Sequence, residues 1–500
     1  MRAQRFRGRR SAALLTVCVG SVLGSGASAQ CDPTWDNTLG DPGINRGYVQ
    51  PMVAWDDGTG EKLYAGGSAE GFGGFAAIEY LGVYDPATGQ WSRPGLGIGQ
   101  GSTNAFLTKL LPWDDGTGEK LYVTGQFASA GGMTSASSFA VWDGSSWSDV
   151  GAGFTQADQR VTYDLLPFTL DARGEVLLVA GNFEEIGGVA AGSVAIYDGT
   201  GFSEWGTGLG LADAGSSGVF ALEPFDDGTG MAIYAGGRFP SIDNAFVNNF
   251  ARFNVGDGAW EALPEQLQFF SPFDSITSMA VFDDGTGPAL YVAGDGFRVP
   301  GDSNIYLCAK WDGTSWTGIG QELSGRITDI EVFDDGNGPA LYMSGTATFE
   351  VNYFAKLEGG VWQPALGGGV NNPPVNGNFA SAFGLYTWDD QLLVGGNFTQ
   401  VGGFDPTTGA GSGTPIASAG IAAIVACGDA ACSPADLSSP NNPGEPDGVL
   451  TGADFFEFLS RFQAGDLSVD FSSASNPGVP DGVLTGADFF EFLNLFTIGC

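Results

Sequence analysis

The string WDDGTG at 55–60 returns at 113–118, and close relatives begin at 225 (FDDGTG), 282 (FDDGTG) and 333 (FDDGNG). Degenerate copies stand at 168 (FTLDARGEV) and 388 (WDDQ). Successive starts are 58, 55, 57, 57, 51 and 55 residues apart. Seven copies at one period demand a repeat architecture, in which each unit buries its apolar faces against its neighbours.

Each string is followed by an apolar run ending in glycine: KLYAGG, KLYVTG, VLLVAG, AIYAGG, ALYVAG, ALYMSG and QLLVGG. Tyrosine and β-branched residues make each run a strand. Segments ahead of the string, such as ITSMAVF and ITDIEVF, read the same way. The acidic string therefore joins two strands. Further along, VYDPATGQW, AVWDGSSW, AIYDGTGF, ARFNVGDGAW, AKWDGTSW and AKLEGGVW each supply a third strand, a turn and a fourth strand opening on an aromatic. Four short antiparallel strands per unit predict the blades of a β-propeller. Eighty-two glycines and 25 prolines without a collagen-like period fit many tight turns and few long helices.

The fourth-strand aromatics are Trp91, Trp147, Phe202, Trp260, Trp316 and Trp362, and CDPTWDNTLG adds Trp35, fifty-six residues before Trp91. The last unit stops after its third strand, IAAIVAC. The N-terminal segment is thus expected to supply the outer strand of the last blade, which removes an exposed sheet edge. The expected fold is mainly β, a seven-bladed β-propeller of four-stranded antiparallel blades over 30–428, closed by its N-terminal strand. Cys31 opens that strand and Cys427 ends the strand it pairs with, so a Cys31–Cys427 disulfide would latch the ring by about 2–4 kcal/mol. Pairing of Cys427 with Cys432 is the alternative. Cys308, in YLCAKW, is expected to be a buried free thiol.

Two readings of the opening string compete. Asp and Gly suit a tight chain reversal, in which the acid bonds its own backbone and glycine takes positive φ. A ring of weak calcium sites is the other.

LYAGG followed by VYDPATGQW resembles the kelch repeat, in which two glycines end the second strand and a tyrosine and a tryptophan mark the next two. The resemblance covers roughly 31–427 in architecture and is closest in the first unit. Elsewhere the second glycine is often replaced, as in GNF and GRF.

From Cys432 the composition changes: PDGVLTGADFFEFL occupies 446–459 and again 480–493, a period of 34 residues. The run D-G-V-L-T-G-A-D matches the back of a calcium loop. Asp436 and Asp470 stand eleven residues ahead of Asp447 and Asp481, with SSPNNPGEP and SSASNPGVP in the gaps. This resembles the dockerin family, specifically its Gly-Cys-ending variant, with two EF-hand-like loops each preceding one helix. The resemblance spans 432–500 and implies a small α-helical domain holding two calcium ions. Asp436, Asp447, the Val449 carbonyl, Thr451 and Asp454 would bind one; Asp470, Asp481, the Val483 carbonyl, Thr485 and Asp488 would bind the other. The inserted segments displace the third-position ligand. Thr451-x-x-Asp454 and Thr485-x-x-Asp488 also fit helix capping boxes without metal. Phe455, Phe458, Leu459 and Phe462 share one helix face, and Phe489, Phe492, Leu493 and Phe496 repeat it, so the two faces should pack together. Cys432 and Cys500 bracket the domain and are expected to join its ends.

Residues 1–29 hold five arginines, an apolar run from Ala12 to Leu23 and a small-residue site ending at Ala29, the pattern of a cleaved secretory signal. Arg9-Arg10 leaves a twin-arginine route as the alternative reading of that signal. The net charge of −38 becomes five units more negative without those arginines, which disfavours nucleic acid and anionic membranes as partners. The chain has no histidine, which excludes serine–histidine and cysteine–histidine nucleophile pairs and histidine general bases. The expectation is a secreted, non-catalytic propeller that binds a protein or glycan. The dockerin resemblance implies anchoring to a cohesin-like or other extracellular protein, in a setting such as polysaccharide breakdown. The alternative is a carbohydrate-active enzyme, a glycoside hydrolase or lyase, using funnel carboxylates, with Glu184, Glu185 and Asp243 as candidates.

Overall fold

The computed structural model describes residues 33–426 apart from 100–104, 153, 155–159, 171–172, 207–208, 211–216, 243–244, 347–350, 372–379 and 404–413. In the C-terminal region it describes Leu437, 452–469, 483–485 and 488–493. The expected signal segment 1–29 lies outside the described residues. The chain divides into two compact units, one comprising Asp32–Ala430 and the other Ala431–Cys500 with Met1–Cys31.

In the larger unit each acidic string closes a hairpin between a first and a second strand, as the flanking apolar alternation requires. Val49–Asp56 pairs with Glu61–Glu70, then with Glu79–Asp85 and Gln90–Ser92, in an antiparallel sheet ordered as in the sequence. Five further sheets repeat this order, opening on Phe106–Asp114, Thr162–Leu170, Gly218–Asp226, Ile276–Asp283 and Arg326–Asp334. The fifth gains an edge that the repeat does not announce, Gln268–Phe269 on Pro288–Arg298. The last sheet opens on Ala382–Trp388 and takes its outer strand from the N-terminus. Thr34, Trp35 and Asp36 pair with Val425, Ile424 and Ala423. The described residues thus form seven sheets of four or five antiparallel strands.

Successive first strands pack side by side, and the seventh returns to the first. Apolar cores fill the gaps between neighbouring sheets. One joins Trp142 and Leu121 of the second sheet to Val53 and Leu81 of the first. Another joins Leu393, Ile421 and Ala423 of the seventh to Met52 and Leu63 of the first, which closes the ring. Cys308 is a free thiol buried between the fifth and sixth sheets, as its strand pattern predicts.

Hydroxyls stitch the ring where the first strands bulge. Thr108 Oγ1 donates to the Thr162 carbonyl at 2.6 Å, Thr277 Oγ1 to that of Ile327 at 2.7 Å and Thr328 Oγ1 to that of Ala382 at 2.9 Å. Each bond crosses from one sheet to the next and satisfies a carbonyl left over by the bulge.

The smaller unit contains the helix Gly452–Ala464 and a second helical stretch at 488–493. Phe458 stacks on Phe492 with centroids 4.2 Å apart, over a core with Leu437 and Val469. The two repeated faces meet as expected, except that Leu459 is exposed and Phe496 lies outside the described residues. Phe456 and Phe490, equivalent in the two repeats, are both more than 70% exposed.

Candidate functional site

The acidic strings resolve into one geometry. The first aspartate of each intact copy accepts two backbone N–H bonds, as Asp56 Oδ1 does from Gly58 and Gly60 at 2.9 Å. Gly58 and Gly60 adopt φ of 92° and 114°, which a side chain would strain. The second aspartate accepts from the following threonine, Thr59 Oγ1 lying 2.5 Å from Asp57 Oδ1. Its other oxygen meets a cation: Lys62 on Asp57, Lys120 on Asp115, Arg252 on Asp227, Lys310 on Asp284 and Lys356 on Asp335, at 2.6–3.0 Å. A buried tyrosine completes each site, Tyr342 reaching Asp335 at 2.7 Å. Burial acts to raise the Asp335 carboxyl, but Lys356 and Tyr342 outweigh it and hold it below the usual range. These carboxylates already have their counter-charges, so the strings serve as hairpin turns. Gly144 and Gly199 of the next sheets abut Asp57 and Asp115, so the strings share a face with the third-to-fourth turns.

At the centre the first strands of all seven sheets enclose a cavity of about 830 Å³. Position along these strands orders its chemistry. Near their starts, on the side away from the acidic strings, lie aromatic side chains. Tyr48 packs on Phe383 and Tyr163 on Phe220, with centroids 4.5 and 4.7 Å apart. Arg238, paired in register with Gly218, and Arg326, at the start of its own strand, line the same end.

Four residues before the aromatic that opens the string stand Lys109, Asp164 and Asp329. Asp164 accepts from Leu165 N and, across to the fourth sheet, from Leu222 N, both at 2.9 Å, while Lys109 Nζ sits 2.7 Å away. Asp329 repeats the device: it accepts from Ile330 N at 3.0 Å, Leu385 N of the seventh sheet at 2.9 Å and Ser278 Oγ of the fifth at 2.8 Å. Both carboxylates clamp neighbouring first strands. Burial pushes the Asp329 carboxyl up, partly offset by those bonds and by Lys109. Two residues further along, burial and the Asp329 charge push Glu331 up to about 7. Thr387 Oγ1 donates to it at 3.2 Å.

The sequence-derived candidates fare unevenly. Glu184 and Glu185 are exposed and do not line the cavity, and Asp243 lies outside the described residues. The cavity residues escaped a reading tuned to what the repeats share. Their signal is departure from the repeat, a charge where aligned strands carry Pro51, Ala221 or Gly384.

Of the expected calcium ligands, Asp454 and Asp488 are buried, Thr485 is half-buried and Val483 is exposed. Asp454 Oδ1 accepts from Leu437 N at 2.8 Å. Asp488 Oδ2 accepts from Thr485 N at 2.6 Å and Thr485 Oγ1 at 3.3 Å, the reach-back bond of a capping box. Asp436, Asp447, Val449, Thr451, Asp470 and Asp481 lie outside the described residues, as do Cys31, Cys427, Cys432 and Cys500. No group of three or more His, Cys, Asp or Glu side chains with metal-binding geometry occurs among the described residues.

No protein-family model and no curated protein matches this sequence. Among solved structures, a computationally designed protein, Ika8, is 12% identical with a TM-score of 0.39, covering 76% of this chain and 97% of that one. A chain of a mitotic checkpoint complex is 12% identical with a TM-score of 0.37, covering 75% and 96%. The Dos1 propeller is 13% identical with a TM-score of 0.36, covering 78% and 88%.

Proposed function

We propose that this chain is a secreted, non-catalytic binding protein: a seven-bladed kelch-like propeller that holds a glycan or protein ligand in its central cavity, displayed through a calcium-binding dockerin-like unit. The observation that carries the reading is the use made of two of the cavity carboxylates. Asp164 and Asp329 spend their oxygens on backbone N–H groups of neighbouring sheets, which suits a rigid receptor and removes them as free acid–base groups. Incubating the protein with a panel of polysaccharides, scoring retention and product release separately, tests it; retention without release is expected, and release of products would overturn it.

A second reading rests on Glu331, a carboxyl held up to about 7 on the cavity wall, where a general acid of a histidine-free carbohydrate-active enzyme would sit. Under it, Glu331→Gln abolishes release.

The donor set proposed for the smaller unit, carboxylates with a hydroxyl and a carbonyl, is the hard-oxygen set calcium takes. The buried Asp454 and Asp488, each at the start of a helix, fit that role. The exposed Phe456 and Phe490 supply matched apolar contacts for a cohesin-like anchoring partner.

A further inference from the structure

We propose that the aromatic end of the cavity is an anion subsite, built by Arg238 and Arg326 for a saccharide bearing carboxylate or sulfate groups. The inference rests on the reading of the cavity as a ligand site and names the chemistry it selects.

Basic side chains are scarce in this chain, and five of them, Lys62, Lys120, Arg252, Lys310 and Lys356, are committed to the aspartates of the acidic strings. Arg238 is different. Its guanidinium lies over two rings, Phe220 at 6.0 Å and Phe273 at 5.8 Å, and no hydrogen bond or ion pair holds it among the described residues. Its Nε is buried without a partner, and so is that of Arg326. Arg326 Nη2 donates to Ser275 Oγ at 2.7 Å and stands 3.7 Å from Asp295. Asp295 is itself engaged by Ser275 N and Oγ. Other buried donors lack hydrogen-bond partners too, five tryptophan indoles and Arg252 Nε among them, but among the described residues only Arg238 and Arg326 combine an unpartnered donor with a place on the cavity wall, which leaves their guanidinium groups hydrogen-bonding capacity for a ligand.

Charge points the same way. Burial and the nearby Arg326 charge both weaken the hold of Arg238 on its proton, and Asp295 and Asp274 offset only part of that, so repulsion between the two cations remains. An anion between them would relieve it. Further in, Asp164, Glu223, Asp329 and Glu331 line the cavity against a single cation among the described residues, Lys109, which is paired with Asp164. That polarity repels an anion from the floor and holds it at the arginine end.

The aromatic faces choose the body of the ligand. Tyr48, Phe106, Tyr163, Phe220 and Phe383 line this end, the flat apolar surfaces on which sugar rings stack. Rings with a carboxylate or sulfate substituent match stacking and bidentate guanidinium contact together.

Calorimetric titration of the full chain with trigalacturonate, a sulfated disaccharide and neutral cellotriose tests the assignment. We expect one of the two acidic probes to bind at least tenfold more tightly than cellotriose at low salt, weakening as salt rises, and the stronger probe identifies the substituent. Arg238→Gln should reduce that affinity at least tenfold. Phe273→Ala, on the exposed rim, should reduce it severalfold with an unchanged melting temperature, which separates the subsite from folding. Equal binding of cellotriose and the acidic probes, or an Arg238→Gln protein that folds and binds normally, overturns the anion subsite and leaves the binding-module reading standing. Binding of a glutamate-rich peptide in place of every sugar overturns the ligand class. If no probe binds, neutral or acidic, both readings fall.

Discussion

Glu331 carries the largest residue-scale consequence. A carboxyl whose pKa rises to about 7 in the folded chain favours the fold when protonated, so its contribution is lost as pH climbs from the unfolded value near 4.5 through 7. A full shift of that size is worth ~3 kcal/mol, and cavity water reduces it. Glu331→Gln should therefore stabilise the protein by about 1–2 kcal/mol at pH 8 and leave it unchanged at pH 4, read from melting temperatures. Asp329→Ala should do the reverse. It strands the Leu385 and Ile330 N–H groups and Ser278, and should cost about 3 kcal/mol in denaturant titrations at neutral pH. Neither residue was singled out by the repeat pattern, because Asp329 matters through Leu385 and Ser278, more than fifty positions away, and Glu331 through a burial that only the closed ring creates. Cys308 was legible, since a nearly continuous apolar strand is covered on both faces and leaves a cysteine no exposed side.

At the scale of elements, the acidic string was readable as a turn from Asp and Gly alone, but its second aspartate was not. In the first and second sheets its cation comes from the second strand, as Lys62 and Lys120; in the fourth, fifth and sixth it comes from the third strand, as Arg252, Lys310 and Lys356. Cross-strand register explains the exchange, because Tyr291 pairs with Lys310 and Tyr342 with Lys356. The sequence trades EK in one strand for AK or AR in another, invisible until the strands are laid side by side. Carboxyls held low in the folded state stabilise it above the unfolded value near 4, and that support fades as pH falls through the folded values. Asp143 and Asp312, held to about 2 against burial by serine and threonine bonds, act alike in the third-to-fourth turns. The fold should lose stability between pH 4 and 2, and Asp335→Asn should flatten the melting curve there while costing about 1 kcal/mol at pH 7. In the smaller unit, calcium calorimetry against a chelator control decides between ligand loops and plain capping boxes. Heat and a raised melting temperature are expected; their joint absence would leave Asp454 and Asp488 as caps.

At the scale of the molecule, the outer edge of the last sheet rests on three paired residues, Thr34, Trp35 and Asp36. Trp35 sits opposite Ile424 and packs on Phe354 of the sixth sheet with centroids 5.7 Å apart. Trp35→Ala should destabilise the whole ring by about 2 kcal/mol, because an opened last sheet exposes the core behind it. The last described pair, Thr34 with Val425, stands just short of Cys31 and Cys427 in sequence. Peptide mapping without reduction should recover a Cys31–Cys427 peptide; a Cys427–Cys432 peptide in its place would show that the strand is held by pairing alone.

The seven repeat units, the short strands within each, the borrowed outer strand and the paired aromatic helix faces are all legible along the chain, because periodicity and turn chemistry are local and repeat with it. The sequence by itself named no cavity residue. Lys109, Asp164, Asp329 and Glu331 sit on different first strands or answer to partners on others, and Arg238 and Arg326 come from separate sheets. Only closing the ring brings those strands to one axis, turning isolated departures from a repeat into a cavity with an acidic floor and a cationic, aromatic mouth.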